Sequence, residues 1–318
     1  MTPAWALRRV GGIALTLLLT SFVVFATTEI LPGDAAQMIL GEFATPEQLA
    51  ALRARLGLDQ PWWIRYLDWL AGVLTGGWGT SLSIYRPVAT LVWDALSRSL
   101  VLASAALVVV TLLAVPLGML AAVRRGRPAD LAVGAASVLG VSAPEFVTAT
   151  LLLVLLARPE IGLFPTSAWP SGADASALDY ARHLALPVAA LTIVLAAHIV
   201  RQTRSEMVDT LATDYVRTAT LKGLSRRRVL FRHALPNALV PTVTVIALDV
   251  GYLIGGILVV EEIFAFPGAG RLMLHAIQNR DLPLMQGCVL ALAVVYALAN
   301  LAADLAHAAL DPRLRHAG

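Results

Sequence analysis

The residues best equipped for chemistry in this 318-residue chain lie in one polar stretch, Arg201 to Pro236, between two apolar runs. It holds Asp214, Tyr215, Arg217, Thr218, Ala219, Lys222 and Gly223, then Arg226-Arg227-Arg228, and closes on Leu235-Pro236. The pattern is not that of a catalyst. Metal- or serine-based hydrolysis would show as H-E-x-x-H or G-x-S-x-G, and neither occurs. His183, His198, His233 and His275 fall at unrelated spacings, so no metal site is expected. Lys222 is the only lysine, flanked by Leu221 and Gly223, and a G-x-x-x-x-G-K-[ST] nucleotide loop cannot be built around it. No catalytic residue and no cofactor are therefore expected in this chain. Cys288, the only cysteine, excludes an intrachain disulfide and reads as a small buried hydrophobe.

What the stretch can do is make contact. Asp214 can cap a short helix from Tyr215 to Lys222, and Gly223 can end it in the left-handed conformation. Ser225 can cap a second helix through the three arginines, until Pro236 interrupts it. The result is a helix–Gly–helix elbow. A plain basic loop that enforces topology and touches anionic lipid would explain the arginines but not this punctuation. Two further groups stand out because each falls inside an apolar run, Glu145 and Asp249. A charge at the centre of a membrane helix costs about 2.5–3.5 kcal/mol on insertion scales, so both are expected to face protein or water. They read either as lining residues that attract a cationic or amine-bearing substrate, or as partners in interhelical hydrogen bonds.

The elements that must position these residues are membrane helices. The chain is 58% hydrophobic and only 14% charged, with a mean hydropathy of +0.74. Soluble domains lie near 45–50% apolar and about 25% charged, so a soluble enzyme or a nucleic-acid-binding domain is excluded. Spans are expected at Val10 to Thr28, Ser99 to Val123, Leu131 to Ala157 (broken by Pro144-Glu145), Leu184 to Val200, Ala238 to Val260 and Leu282 to Ala303. The first reads as an uncleaved span, because no small-x-small cleavage site follows it. With the N-terminus inside, segments 1–9, 124–130, 201–234 and 311–318 hold fifteen of the twenty-four basic residues. Both termini are thus expected in the cytoplasm. Leu31 to Ser97 then lies outside, with a short helix started by Thr45-Pro46 and an aromatic series, Trp62, Trp63, Tyr66, Trp69 and Trp78, suited to interfacial anchoring. Three parts follow: 1–97, the first helix plus an extracytoplasmic segment; 98–311, the membrane core with its cytoplasmic loop at 201–236; and a tail at 312–318.

The elbow resembles the signature loop of ABC importer permeases, E-A-A-x3-G-x9-I-x-L-P. Ala219, Gly223, Leu235 and Pro236 stand in register, while Arg217 and His233 replace the Glu and the Ile. Those departures are similar to the dipeptide/oligopeptide/nickel branch, as is the run Asp214-Tyr215-Val216-Arg217-Thr218-Ala219. Further stretches resemble the same branch: Leu31-Pro32-Gly33-Asp34, Leu56 to Pro61, Gly77-Trp78-Gly79-Thr80-Ser81, Ser142-Ala143-Pro144-Glu145-Phe146, Glu262 to Gly270 and Leu310-Asp311-Pro312-Arg313. The resemblance implies an all-α integral membrane protein of the type I ABC importer permease kind, of about six transmembrane helices. It implies a pathway for di- or oligopeptides, or a related small solute such as a nickel chelate. Its expected partners are a second homologous permease, two ATPases that bind the Mg-ATP, an extracytoplasmic solute-binding protein and membrane lipid, with no nucleic acid. The elbow would dock on an ATPase through Tyr215, Arg217 and Lys222, with small Thr218 and Ala219 permitting close approach. The alternative is a secondary ion-coupled transporter, in which case internal repeats are usual; none is evident. A structural scaffold would leave the elbow unexplained.

Overall fold

The computed structural model describes residues 3–30, 40, 44–56, 59–158, 163–170 and 175–310. The stretches at 31–34, 57–58 and 311–318 that carry part of the resemblance, and the tail with them, lie outside the described residues. Within the described residues the chain is helical, with one isolated antiparallel bridge between Thr80 and Pro87. In chain order the helices are α1 (Pro3–Ile30), α2 (Pro46–Leu56), α3 (Trp62–Leu74), α4 (Val88–Val123), α5 (Pro128–Ser142) and α6 (Glu145–Leu156). Then follow α7 (Ala177–Leu211), α8 (Asp214–Leu221), α9 (Arg226–Arg228), α10 (Leu235–Ile263), α11 (Ala269–Gln278) and α12 (Leu282–Leu310). A π-helical turn, Val229–Ala234, joins α9 to α10.

Among the described residues, five helical stretches are long and apolar enough to cross a membrane: Leu7–Glu29, Val88–Val123, Ala177–Leu211, Arg226–Ile263 and Leu282–Leu305. The expected third span, Leu131 to Ala157, breaks at Pro144 as expected and is the pair α5 and α6, which meet at a 103° bend. The cause is local: Pro144 excludes the helical region for the residue before it, and Ala143 accordingly sits at φ −81°, ψ 125°. Glu145 is therefore the first residue of α6 rather than the middle of a span. The expected fourth span, Leu184 to Val200, is part of a much longer helix. Ser176 and Asp179 form a reciprocal capping box that starts α7 well before Leu184.

The chain divides into two compact units, one of residues 1–5, 98–271 and 296–318, the other of 6–97 and 272–295. In the first, α7 is the most enclosed helix, and its Leu191, Leu195 and Ile199 pack with Leu102 and Val110 of α4 and Val260 of α10. Small residues set the approach. A Cβ on Gly118 would meet Thr203 Cβ at 2.7 Å, and one on Gly140 would meet the Ile193 carbonyl at 2.9 Å. Lipid offers no hydrophobic drive for helix pairing, so close van der Waals contact at such residues does that job. In the second unit α3 lies on α1: Tyr66 stands edge-on to Phe22 and Phe25 at 5.7 and 5.4 Å, and its hydroxyl is 2.9 Å from Ser21 Oγ. Much of the aromatic series is thus helix packing, with Trp62 and Trp63 left half-exposed for an interfacial role. The short helix α2 begins as expected, with Thr45 and Gln48 exchanging bonds as a capping box.

Candidate functional site

The elbow forms, with changes from expectation. The cap position of α8 is Thr213, and Asp214 is the first helical residue, where its charge favours the positive end of the helix. Helix α8 ends at Leu221 with Lys222 as its C-cap, and Gly223 follows at φ +77°, a conformation that a residue with a Cβ reaches at a cost. Ser225 does cap the second helix, its Oγ accepting from the Arg228 amide at 3.4 Å. Pro236 does not interrupt that helix. The π-helical turn Val229–Ala234 widens the backbone one turn before the proline, where an α-helix would bring the ring against the Arg232 carbonyl. Asn237 Nδ2 donates to the His233 carbonyl at 2.8 Å, so the loosened turn keeps a donor. The elbow's second arm is therefore continuous with a membrane span, Arg226–Ile263.

The two faces of α8 differ sharply. Val216 and Ala219 are buried with Met207 of α7, Ala122 of α4, and Val229, Ala234 and Ala238 of the second arm. A cleft of about 470 Å³ beside them is lined by Leu211, Val216, Thr220, Leu224, Val229 and Leu230, among others. Asp214, Tyr215, Arg217, Thr218, Lys222 and Gly223 are exposed. Ala219, expected to sit against another protein, lies instead on the inner face, so its small side chain seats α8 close to its own helices. Leu235 is half-buried and Pro236 exposed at the start of α10. Two exposed apolar residues escaped the sequence reading, Leu221 at 80% and Phe231 at 51% exposure. Their signal is an apolar residue beside a glycine stop and another among arginines, where solvent alone would favour polar side chains.

A second anchor lies beside the elbow. Arg204 of α7 donates to both oxygens of Asp130 on α5, through Nε at 2.5 Å and a terminal nitrogen at 2.8 Å. Gly126, at φ +74°, adds its amide to Asp130 at 2.9 Å. This bidentate pair ties the turn between α4 and α5 to the helix that leads into the elbow. Sequence reading counted Arg204 only as a charge, because 74 residues separate the partners.

Glu145 and Asp249 are not brought together. Asp249, 7% exposed on α10, has one oxygen 3.4 Å from His198 Nδ1 on α7, and its other oxygen meets no donor among the described residues. His198 also stands edge-on to Tyr252. The Glu145 carboxylate lies over Gly256, farther along α10, where a Cβ would meet both of its oxygens at 2.6 Å. Among buried acids the sequence reading missed Glu261, which is fully enclosed. It accepts from Ser99 Oγ and from the Gly270 and Arg271 amides, the latter two at 2.8 and 3.3 Å. A Cβ on Gly268 would overlap it, which gives the Phe266-Pro267-Gly268-Ala269-Gly270 run its composition. With Phe264 and Phe266 buried, the loop is fixed by its own unit.

Comparison with known proteins agrees with these features. Residues 114–316 match the binding-protein-dependent transport system inner membrane component family, and residues 4–88 match the N-terminal component of such systems. The chain is 37% identical over 334 aligned residues to the dipeptide transport system permease protein DppB of Escherichia coli K12, covering 98% of each chain. It is 36% identical over 312 residues to the glutathione transport system permease protein GsiC of Salmonella choleraesuis, covering 98% of this chain and 99% of the relative. A dipeptide permease of Alkalihalophilus pseudofirmus is 34% identical, with 98% and 99% covered. All-helical architecture, apolar spans and these matches agree, and the chain belongs to the binding-protein-dependent transport system inner membrane components, as a multi-pass permease of the ABC importer class.

Proposed function

We propose that this permease forms, with a second related permease, the pathway by which di- or oligopeptides, or a small peptide such as glutathione, enter the cell. The relatives named above transport dipeptides and glutathione, which share a peptide backbone and free charged ends. Two ATPase subunits bind Mg-ATP and supply the energy, and a solute-binding protein delivers the substrate from outside. The observation that carries the reading is α8: one face is seated on Val216 and Ala219, and the other presents Tyr215, Arg217, Leu221 and Lys222. Such a short helix, tied to α7 at one end and to a membrane span at the other, passes a push from a docked partner directly into two spans. Arg217 and Lys222 suit an acidic groove rim, and Tyr215 and Leu221 its apolar floor. Asp214, Thr218, Gly223, Leu235 and Pro236 shape the elbow around that contact. Glu145 and Asp249 serve the pathway as its intramembrane acids. An ion-coupled carrier finds no support in the relatives.

The test is affinity purification of the chain from its own membranes in mild detergent, with mass spectrometry of the co-purified proteins. Recovery of ATPase subunits and a second permease is expected. Recovery of the chain alone, transporting in vesicles on an ion gradient without ATP, would overturn the assignment.

A further inference from the structure

The turn between Gly79 and Val88 takes no part in the elbow and holds neither intramembrane acid. It lies wholly in the second unit, on the segment read as extracytoplasmic, directly before α4. Thr80 and Pro87 pair, the Ser81 amide donates to the Arg86 carbonyl at 3.0 Å, and the Val88 amide to the Gly79 carbonyl at 3.0 Å. Inside this small hairpin the Tyr85 amide donates to the Ser81 carbonyl at 3.1 Å, and the Ile84 amide to Ser81 Oγ at 3.0 Å. A single fully buried carboxylate, Asp281, holds the whole from below. Its Oδ2 accepts from Ser81 Oγ at 2.6 Å, the Ser83 amide at 2.9 Å and Ser83 Oγ at 2.8 Å, while Oδ1 accepts from the Leu284 amide at 3.1 Å.

All this order presents one side chain. Tyr85 is 83% exposed, and it stands at φ +59°, where a bulky residue is a genuine outlier. Holding it there carries a strain that persists only where surrounding structure enforces it. Glycine or asparagine would make the same turn with less strain. Beside it Arg86 is also exposed, 4.0 Å from Asp94. Anchoring in the lipid interface does not account for the arrangement. Trp93, 69% exposed on α4, already offers an aromatic ring near this end of the helix, and an anchor gains nothing from a rigid, strained base. A protein partner does gain, because a preordered aromatic loses little entropy on binding, and tyrosine and arginine dominate interface energies.

We infer that the Ser81–Pro87 turn is a docking point for the extracytoplasmic solute-binding protein, with Tyr85 entering an apolar pocket of that protein and Arg86 meeting a carboxylate at its rim. The inference rests on the permease reading above, because a binding-protein-dependent system brings a solute-binding protein to this face. It is tested with the full complex in lipid nanodiscs, by titrating the binding protein that co-purifies with it and following ATP hydrolysis. Tyr85→Asn keeps the left-handed turn and removes the ring. It should raise the half-saturating concentration of binding protein roughly tenfold or more, with basal hydrolysis unchanged, while Tyr85→Phe should shift it little. An unchanged half-saturating concentration in Tyr85→Asn would overturn the docking role. So would a change in basal hydrolysis that appears in nanodiscs and vanishes in detergent, which is the behaviour of a lipid anchor. If the wild-type complex were indifferent to any binding protein, the permease reading itself would fail first, and the inference with it.

Discussion

The elbow at Asp214–Pro236 and the turn at Gly79–Val88 each hold a residue at positive φ and each show an aromatic side chain to solvent, yet they are held in opposite ways. The elbow sits on a patch of Val216, Ala219, Met207, Val229 and Ala234, all of them apolar. The turn sits on Asp281, which takes four hydrogen bonds while fully buried. Apolar contact is non-directional, so a helix resting on it can tilt while staying covered. Hydrogen bonds weaken steeply with angle, so a turn built on four of them keeps one shape. The elbow uses Gly223 at φ +77°, where the conformation is cheap, and the turn uses Tyr85 at φ +59°, where it is not. On the proposed function, the apolar seat suits a region that transmits displacement, and the hydrogen-bonded one a region that resists it.

The comparison can be broken first at Gly223. Gly223→Val puts a β-branched side chain at a left-handed position, and the strain, on the order of 1–3 kcal/mol, must displace α8 or the second arm. Recovery of ATPase subunits with the permease is expected to fall about tenfold or more, with membrane insertion unchanged; co-purification at the wild-type level would show that the elbow does not need its stop. The turn should break at Asp281. Asp281→Ala leaves the Ser81 and Ser83 hydroxyls and the Ser83 and Leu284 amides without their acceptor, at a cost of about 3 kcal/mol. Amide exchange at Ser83 and Leu284 should speed accordingly, while α8 exchanges as before; an unaltered Ser83 would mean that the backbone alone makes the turn.

The smallest effect is one of pH. Burial by itself would raise the Asp281 pKa, but bonds from Ser81, Ser83 and Leu284 outweigh it and leave the carboxyl below its usual range. A lowered folded pKa contributes stability at all pH above the unfolded value, about 3.9, and that stability disappears as pH falls through the folded one. Ser83 protection, corrected for the intrinsic exchange rate, should thus be flat from about pH 8 to about pH 5 and decline only in stronger acid. A decline already at about pH 6 would show that the Asp281 carboxylate is not what holds Ser83.

Membrane character, the apolar helices and the elbow's punctuation were legible in the chain because each is a local or periodic property. Apolar runs set spans, Gly223 stops α8, Ser225 caps α9, and Thr45 with Gln48 caps α2. The Pro144 break was legible too, though its 103° bend was not, since a proline forbids a conformation without choosing the direction in which the chain resumes. Continuity through Pro236 depended on a π-helical turn that no residue type announces. The inward placement of Ala219 needed the helices that cover it. Asp281 under Ser81 and Ser83, Glu261 under Gly268 and Arg204 on Asp130 join residues up to 200 positions apart. Spacing along a chain determines which face of a helix a residue occupies. Only the packing of helices decides what that face meets, and hence which buried charges are satisfied and which side chains are left for a partner.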